Sequence, residues 1–262
     1  MNDTTHLGRL LLVPTPLDFG CAAELIGDIG DALPAHTIAT AARTTHWISE
    51  NAKSTRAFLN RVNLHTPLIC SIQDMHIHVL PREAHKSGDH TVGAMDSQAK
   101  EWLAPALQGF DVGLVSEAGM PAIADPGSSV VRAAHSMGLA VVPLTGPVSL
   151  MLALAASGLN GQQFAFVGYL KKGAELVAHI KALEATALKT GQTQLCIETP
   201  YRNTQLLQTL VNTLSPNTRL AVACGLAVAP DVRSQTVAVW REQAKHNKLP
   251  KLDLPAVFLW GA

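Results

Sequence analysis

The chain has 262 residues, 47% hydrophobic and 15% charged, with 20 Lys+Arg balancing 20 Asp+Glu. So apolar a chain buries enough surface to offset its conformational entropy, which excludes a disordered or low-complexity protein. Zero formal net charge excludes a uniformly basic nucleic-acid coat but not a local basic patch, and 5% aromatic residues argue against a base-stacking surface as the main device. Cys21, Cys70, Cys196 and Cys224 are scattered with no Cys-x-x-Cys pair, the pattern of reduced thiols and not of a zinc site. Residues Met1–Arg9 lack the basic stretch and apolar core of a signal peptide, and no apolar run approaches the ~20 residues of a spanning helix. A soluble cytoplasmic protein is expected.

In chain order, Leu10–Val13 is an apolar run closed by Pro14-Thr15-Pro16, which reads as a buried strand ending in a loop. Ala22–Leu33 reads as helical, Thr37–Ala42 and Thr45–Ser49 as extended, and Ser54–Val62 as helical. Leu68–Ile72 and Met75–Leu80 are strand-like, and Lys86–Ser97 is polar enough for a surface loop. A helix over Ala99–Leu107, a strand at Val112–Val115, a helix over Ser128–Met137 and a strand at Ala140–Leu144 follow. This alternation, with continuously apolar strands, predicts a mostly parallel sheet covered by helices. Beyond Gly146 the pattern changes: helices at Ser149–Ala156, around Glu175–Ala187 and at Thr204–Leu214, and strands at Phe164–Val167, Gln194–Ile197, Leu220–Cys224, Ser234–Val239 and Ala256–Trp260. The expected organisation is an α/β domain over residues 1–148 and a mixed-sheet α+β domain over residues 149–262.

Three Gly/Pro clusters follow strands: Pro14-Thr15-Pro16, Ser116-Glu117-Ala118-Gly119-Met120-Pro121 and Thr145-Gly146-Pro147-Val148-Ser149. Loops at the carboxyl edge of an open α/β sheet converge on one crevice, and glycine lets backbone approach a ligand there. No G-x-G-x-x-G, P-loop or G-x-S-x-G motif is present, so a dinucleotide, nucleoside-triphosphate or serine-hydrolase reading lacks support. His76-Ile77-His78 sets two imidazoles on one strand face, but no carboxylate motif completes a metal site, and none is expected. Asp125 before Pro126-Gly127-Ser128 reads as a turn residue aimed at the free N–H groups of a helix start. Glu198-Thr199-Pro200-Tyr201-Arg202 again lies at a strand end. Its Glu198 and Arg202 fit equally an ion pair bracing the loop or a base and an anion-binding fork facing substrate.

Taken together, "LLLVPTP", "LVSEAGMPAIADPG", "VVPLTGPVS", "FAFVGYL" and "IETPYR" resemble, in order, motifs of the tetrapyrrole (corrin/porphyrin) methylase superfamily, in particular its small-subunit ribosomal RNA 2′-O-ribose methyltransferase branch. The resemblance implies a two-domain, tetrapyrrole-methylase-like fold, S-adenosylmethionine as cofactor in a cleft between domains, and a homodimer. It places Pro14, Thr15, Pro16, Ser116, Gly119, Met120, Pro121, Pro147, Val148, Ser149, Tyr169, Leu170, Pro255 and Ala256 at the cofactor, and makes Glu198, Arg202 and Glu50 the catalytic candidates. The chain departs from that branch at Leu17-Asp18-Phe19-Gly20, where Gly-Asn-Leu is usual. It departs again at Glu50-Asn51-Ala52-Lys53, where Glu-Asp-Thr-Arg is usual, and at Lys171-Lys172-Gly173-Ala174-Glu175, where Pro and several basic residues are usual. Three readings follow: methylation of a ribosomal RNA ribose hydroxyl, methylation of a tetrapyrrole or other small molecule, and a non-catalytic S-adenosylmethionine-binding protein.

Overall fold

The computed structural model describes residues 6–81, 89, 93 and 95–262. The chain divides into two units, Met1–Pro147 and Val148–Ala262.

The first unit runs β1 (Arg9–Val13), α1 (Ala35–Arg43), β2 (His46–Ser49), α2 (Ala52–His65), β3 (His76–Val79), α3 (Asp96–Leu103), β4 (Val112–Val115), α4 (Ser128–Ser136) and β5 (Ala140–Pro143). Its five strands form one parallel sheet in the order β3-β2-β4-β1-β5. On one face Leu11, Val13, Trp47 and Val115 pack against Ile38 of α1 and Phe58, Leu59 and Val62 of α2. On the other, Leu10, Ile48, Val112 and Leu114 meet Ala99 and Leu103 of α3 and Val130 and Ala133 of α4. Burial on both faces is why β1 and β4 read as unbroken apolar runs without polar alternation. The loop after β1 leads to α1 on one face, and the loop after β4, its neighbour, leads to α4 on the other. A crevice between their carboxyl ends is the topological consequence.

Several expectations fail here for local reasons. Thr37–Ala42 is helix, not extended chain. Its Thr and Ile suggest β-structure, but Thr37, Ile38, Ala41 and Ala42 form a buried stripe at helical spacing. The helix expected over Ala22–Leu33 is two single turns, Ala23–Leu25 and Ile29–Asp31, the second capped by Asp28, which accepts from Gly30 N at 2.7 Å. Leu68–Ile72 forms no strand, because Leu68 N donates to Asn63 Oδ1 (3.0 Å) and Ile69 N to Ala42 O (3.0 Å). The loop expected at Lys86–Ser97 lies mostly outside the described residues, and its last two residues already belong to α3.

The second unit runs α5 (Ser149–Ser157), β6 (Phe164–Tyr169), α6 (Leu176–Thr190), β7 (Thr193–Glu198), α7 (Pro200–Thr213), β8 (Arg219–Cys224), β9 (Asp231–Thr236), α8 (Val237–Lys245) and β10 (Ala256–Gly261). The sheet order is β6-β7-β10-β8-β9; β6 and β7 are parallel and the other pairs antiparallel. Along β10 Val257 and Leu259 face α5, while Phe258 and Trp260 face the layer of α6, α7 and α8. The strand expected at Ser234–Val239 ends at Thr236. Val237 and Trp240 turn inward as one side of a helix, and Trp240 Nε1 donates to Leu220 O at 2.9 Å. A parallel α/β unit is thus joined in sequence to a mixed-sheet unit, an α/β fold of the class expected. Among the described residues no helix is long and apolar enough to cross a membrane.

Candidate active site

At the carboxyl edge of the first sheet, the loops after β1 and β4 are tied across the crevice. Thr15 N donates to Gly119 O and Gly119 N to Thr15 O, both at 3.0 Å, as an isolated antiparallel bridge. Thr15 Oγ1 reaches Ser116 O at 3.4 Å. Gly119 holds φ +77°, and a Cβ there would stand 3.0 Å from Leu17 Cδ2 and 3.5 Å from Pro147 O. At Gly146 a Cβ would fall 2.2 Å from Pro14 Cγ, so the loop after β5 rests directly on the loop after β1. Pro14, Thr15, Ser116, Gly119 and Pro147 therefore meet at one edge, with Pro16, Met120 and Pro121 next to them in the chain. The main-chain groups of Thr15 and Gly119 serve each other here and are not presented to a ligand.

Carboxylates surround this edge. Glu50 follows β2; its N–H donates to Val115 O (3.1 Å) and its Oε2 accepts from Glu117 N (3.0 Å). Asp125 has its carboxyl pushed up to about 7, first by burial and then by the charges of Glu50 and Glu117, against an opposing hydrogen bond with Ser116. The helix start that Asp125 was expected to serve is capped instead by Asp89. Asp89 Oδ2 accepts from Gly127 N (2.9 Å), Ser129 N (2.9 Å) and Ser129 Oγ (2.6 Å), and Oδ1 accepts from Ser128 N (3.2 Å). Burial raises the Asp89 carboxyl, but these donors outweigh it and hold the group below the usual range. Asp89 is 38 residues from Gly127, so no local motif announces it.

The raised Asp125 has a consequence for stability. Its protonated form is favoured in the fold, so the contribution is present below the unfolded value near 4 and is lost as pH rises through about 7. Asp125→Asn is expected to raise the melting temperature at pH 8 by roughly 5–10 °C, for on the order of 3 kcal/mol, and by far less at pH 5. A gap between variant and wild type that does not widen with pH would show that Asp125 is ionised without penalty.

In the second unit, Tyr169 pairs with Ile197, and Ala256 with Glu198 on antiparallel β10. Tyr169, Leu170, Glu198, Pro255 and Ala256 therefore share one sheet edge. Val148 and Ser149 stand at the start of α5. Arg202 Nη1 lies 3.1 Å from Glu198 Oε1, which also accepts from Thr199 Oγ1 at 3.1 Å. Glu198 is 5% exposed and Arg202 27%. Together with Leu170, Lys171, Lys172 and Thr209 they line a cavity of about 190 Å³. Of the two roles open for Glu198 and Arg202, the ion pair is formed, and Arg202 still borders the cavity. Asn203, which the sequence reading passed over, is fully buried, and its Nδ2 donates to Leu254 O (3.0 Å) and Leu252 O (3.4 Å), fixing the segment that enters Pro255 and Ala256. Its signal was a lone amide on the apolar stripe of Leu206, Leu207, Leu210 and Val211. His46 and His76 stack at 4.7 Å and His78 lies over Trp102 at 6.1 Å; among the described residues no three His, Cys, Asp or Glu cluster as metal ligands.

No family model matches the chain. Curated relatives do, and those that follow are named Ribosomal RNA small subunit methyltransferase I. That of Halalkalibacterium halodurans is 31% identical over 74% of this chain and 56% of its own length. That of Xylella fastidiosa is 33% identical over 60% and 50%, and that of Bacillus subtilis 30% identical over 81% and 62%. The chain thus spans between half and two thirds of the length of these relatives. A uroporphyrin-III-C-methyltransferase structure from Thermus thermophilus aligns with 97% of this chain and 94% of its own at TM-score 0.49 and 17% identity, too low a likeness to carry an argument. By sequence, the chain is thus similar over 60–81% of its own length to proteins named as ribosomal RNA small subunit methyltransferases.

Proposed function

We propose that this protein is an S-adenosylmethionine-dependent methyltransferase acting on a ribose 2′-hydroxyl of ribosomal RNA, cytoplasmic and homodimeric. The observation that carries the reading is the crevice between β1 and β4, closed by the Thr15–Gly119 bridge and bordered by Glu50, Glu117 and Asp125, in a chain with these relatives. Its donor set suits the cofactor. The carboxylates of Glu50 and Glu117 at this edge, beside an Asp125 held protonated towards neutrality chiefly by burial and then by their charge, favour a sulfonium and an ammonium, and proline loops shape a dry wall without phosphate-binding glycines. The cofactor supplies a methyl group on a sulfonium that is already a good leaving group.

The protein's own residues then supply alignment and exclusion of water. In the first unit Pro14, Thr15, Pro16, Ser116, Gly119, Met120, Pro121 and Pro147 are assigned to the cofactor. In the second, Val148, Ser149, Tyr169, Leu170, Pro255 and Ala256 are assigned to it. Glu50 or Glu198 accepts the hydroxyl proton, and Arg202, with Lys171 and Lys172 around the same cavity, holds a phosphate. A tetrapyrrole or other small acceptor is favoured by one observation, the zero net charge.

Saturation at 100 times the dissociation constant is expected to add about 2.7 kcal/mol, raising the melting temperature by roughly 5–10 °C whether or not chelator is present. Incubation with methyl-labelled cofactor and small-subunit ribosomal RNA should place label in RNA. Label only in small molecules would replace the acceptor. No melting shift at millimolar cofactor would end the reading.

A further inference from the structure

A second cavity, of about 460 Å³, opens beside the crevice on its α2 side, within the ~300–1,000 Å³ range of small-molecule sites. One wall is apolar: Phe19 and Ile26, exposed to 47% and 42%, face the cavity with buried Phe58. Lys53 is exposed at the start of α2 and has no carboxylate partner among the described residues. Ser116 and Glu117 of the β4 loop and Thr15 and Pro16 of the β1 loop also line the cavity, which thus shares residues with the crevice. The apolar wall is held in place. Arg61 clamps Asp18 through Nη1–Oδ1 (3.1 Å) and Nη2–Oδ2 (2.9 Å), and Nη2 donates to Gly27 O (3.2 Å), pinning the loop that carries Phe19 and Ile26 to α2.

We propose that this cavity receives the acceptor nucleotide, an inference that rests on the RNA-methylation reading. An unstacked RNA nucleotide offers a flat base, an anionic phosphate and ribose hydroxyls, and proteins hold such bases on aromatic faces. The three walls match these in turn. The base lies against Phe19, Ile26 and Phe58, the phosphate meets Lys53, and the ribose hydroxyls point to Ser116 and Glu117, the side shared with the crevice. Sequence explains little of this: Phe19 and Lys53 sit in two of the three segments that depart from the ribosomal branch's motifs, so the contacts belong to this chain.

The test titrates the whole protein with the four ribonucleoside 5′-monophosphates and their 2′-deoxy counterparts by calorimetry, with S-adenosylmethionine affinity measured alongside. At least one ribonucleotide is expected to saturate, several-fold tighter than its deoxy form. Phe19→Ala and Lys53→Ala should each weaken it about tenfold or more, since a stacked base and a charged hydrogen bond are lost respectively, with cofactor affinity within about twofold of wild type. Both side chains are exposed, and unchanged melting temperatures check that the variants fold. Absence of nucleotide binding at 10 mM, wild-type nucleotide affinity in both variants, or displacement of the nucleotide only by carboxylated tetrapyrroles would overturn the proposal. RNA labelled at wild-type rate by both variants would overturn it while leaving the methyltransferase reading intact. Loss of cofactor binding in the wild type would end that reading, with the nucleotide titration still deciding the cavity.

Discussion

Gly119→Val is expected to leave a folded protein that has lost most of its affinity for S-adenosylmethionine. The residue holds φ +77°, where a β-branched side chain costs about 1–3 kcal/mol in backbone strain. Its Cβ would not enter open space. It would stand 3.0 Å from Leu17 Cδ2, which must give by a few tenths of an ångström, and in ordinary contact with the Pro147 carbonyl at 3.5 Å, so the valine's two further methyl groups crowd the Leu17 and β5 loops. Because Gly119 exchanges two hydrogen bonds with Thr15, that crowding opens the bridge between the β1 and β4 loops. The effect on binding is thus indirect, through loops that no longer converge. An affinity loss of roughly a hundredfold corresponds to about 2.7 kcal/mol, and the melting temperature should fall by roughly 4–10 °C. Gly119→Ala has one methyl group in place of three carbons, keeps much of the bridge, and should lie between. Calorimetry and melting curves on the two variants check this. A folded valine variant with wild-type affinity would remove this loop from the cofactor site.

The parallel sheet was legible because its central strands are buried on both faces: Leu10–Val13 and Val112–Val115 are continuous apolar runs with no competing helical spacing. Where the reading failed, local preference and tertiary burial disagreed. Thr37-Ile38 favours extended chain, yet α1 must cover Leu11 and Val13, and the stripe that does so is helical. Val237–Val239 reads as the end of a strand for the same reason, and Trp240 resolves it by turning into the core beneath β8. The gathering of Pro14, Ser116 and Gly146 followed from topology, since loops leaving parallel neighbours end at one edge. Pairings over long separations carried no such signal. Asp89 caps α4 from a distant stretch of chain, and Asp125, placed by local pattern at that task, is instead a buried carboxyl beside Ser116. The 460 Å³ cavity carried no sequence signal because Phe19 and Ile26 of its apolar wall come from a loop with no periodicity, fixed to α2 by Arg61 through Asp18 and Gly27 O.

The Glu198–Arg202 pair allows a prediction whose outcomes are unequal by design. Glu198 is 5% exposed and Arg202 27%, so the two alanine variants leave different orphans. Arg202→Ala strands a nearly buried carboxylate with Thr199 as its remaining partner, and breaking such pairs costs about 3–5 kcal/mol when both members are buried. The partial exposure of Arg202 and the adjoining cavity admit water, which discounts the cost to roughly 1–3 kcal/mol, a fall of about 2–12 °C in melting temperature. Glu198→Ala leaves an arginine that reaches solvent, and should cost less. The double variant should be little worse than Arg202→Ala alone, since the stranded charge is gone. Turnover separates this bracing role from the phosphate-holding one. If Arg202 also grips an anion in the cavity it shares with Lys171 and Lys172, its loss should lower acceptor affinity by about ten- to a hundredfold, the worth of one charged hydrogen bond, with cofactor affinity nearly constant. Glu198→Ala would keep the fork and hence most of that affinity. Arg202→Lys would retain charge without the planar fork and fall between. Equal loss of acceptor affinity in Glu198→Ala and Arg202→Ala, tracking their melting temperatures, would assign the pair to bracing alone.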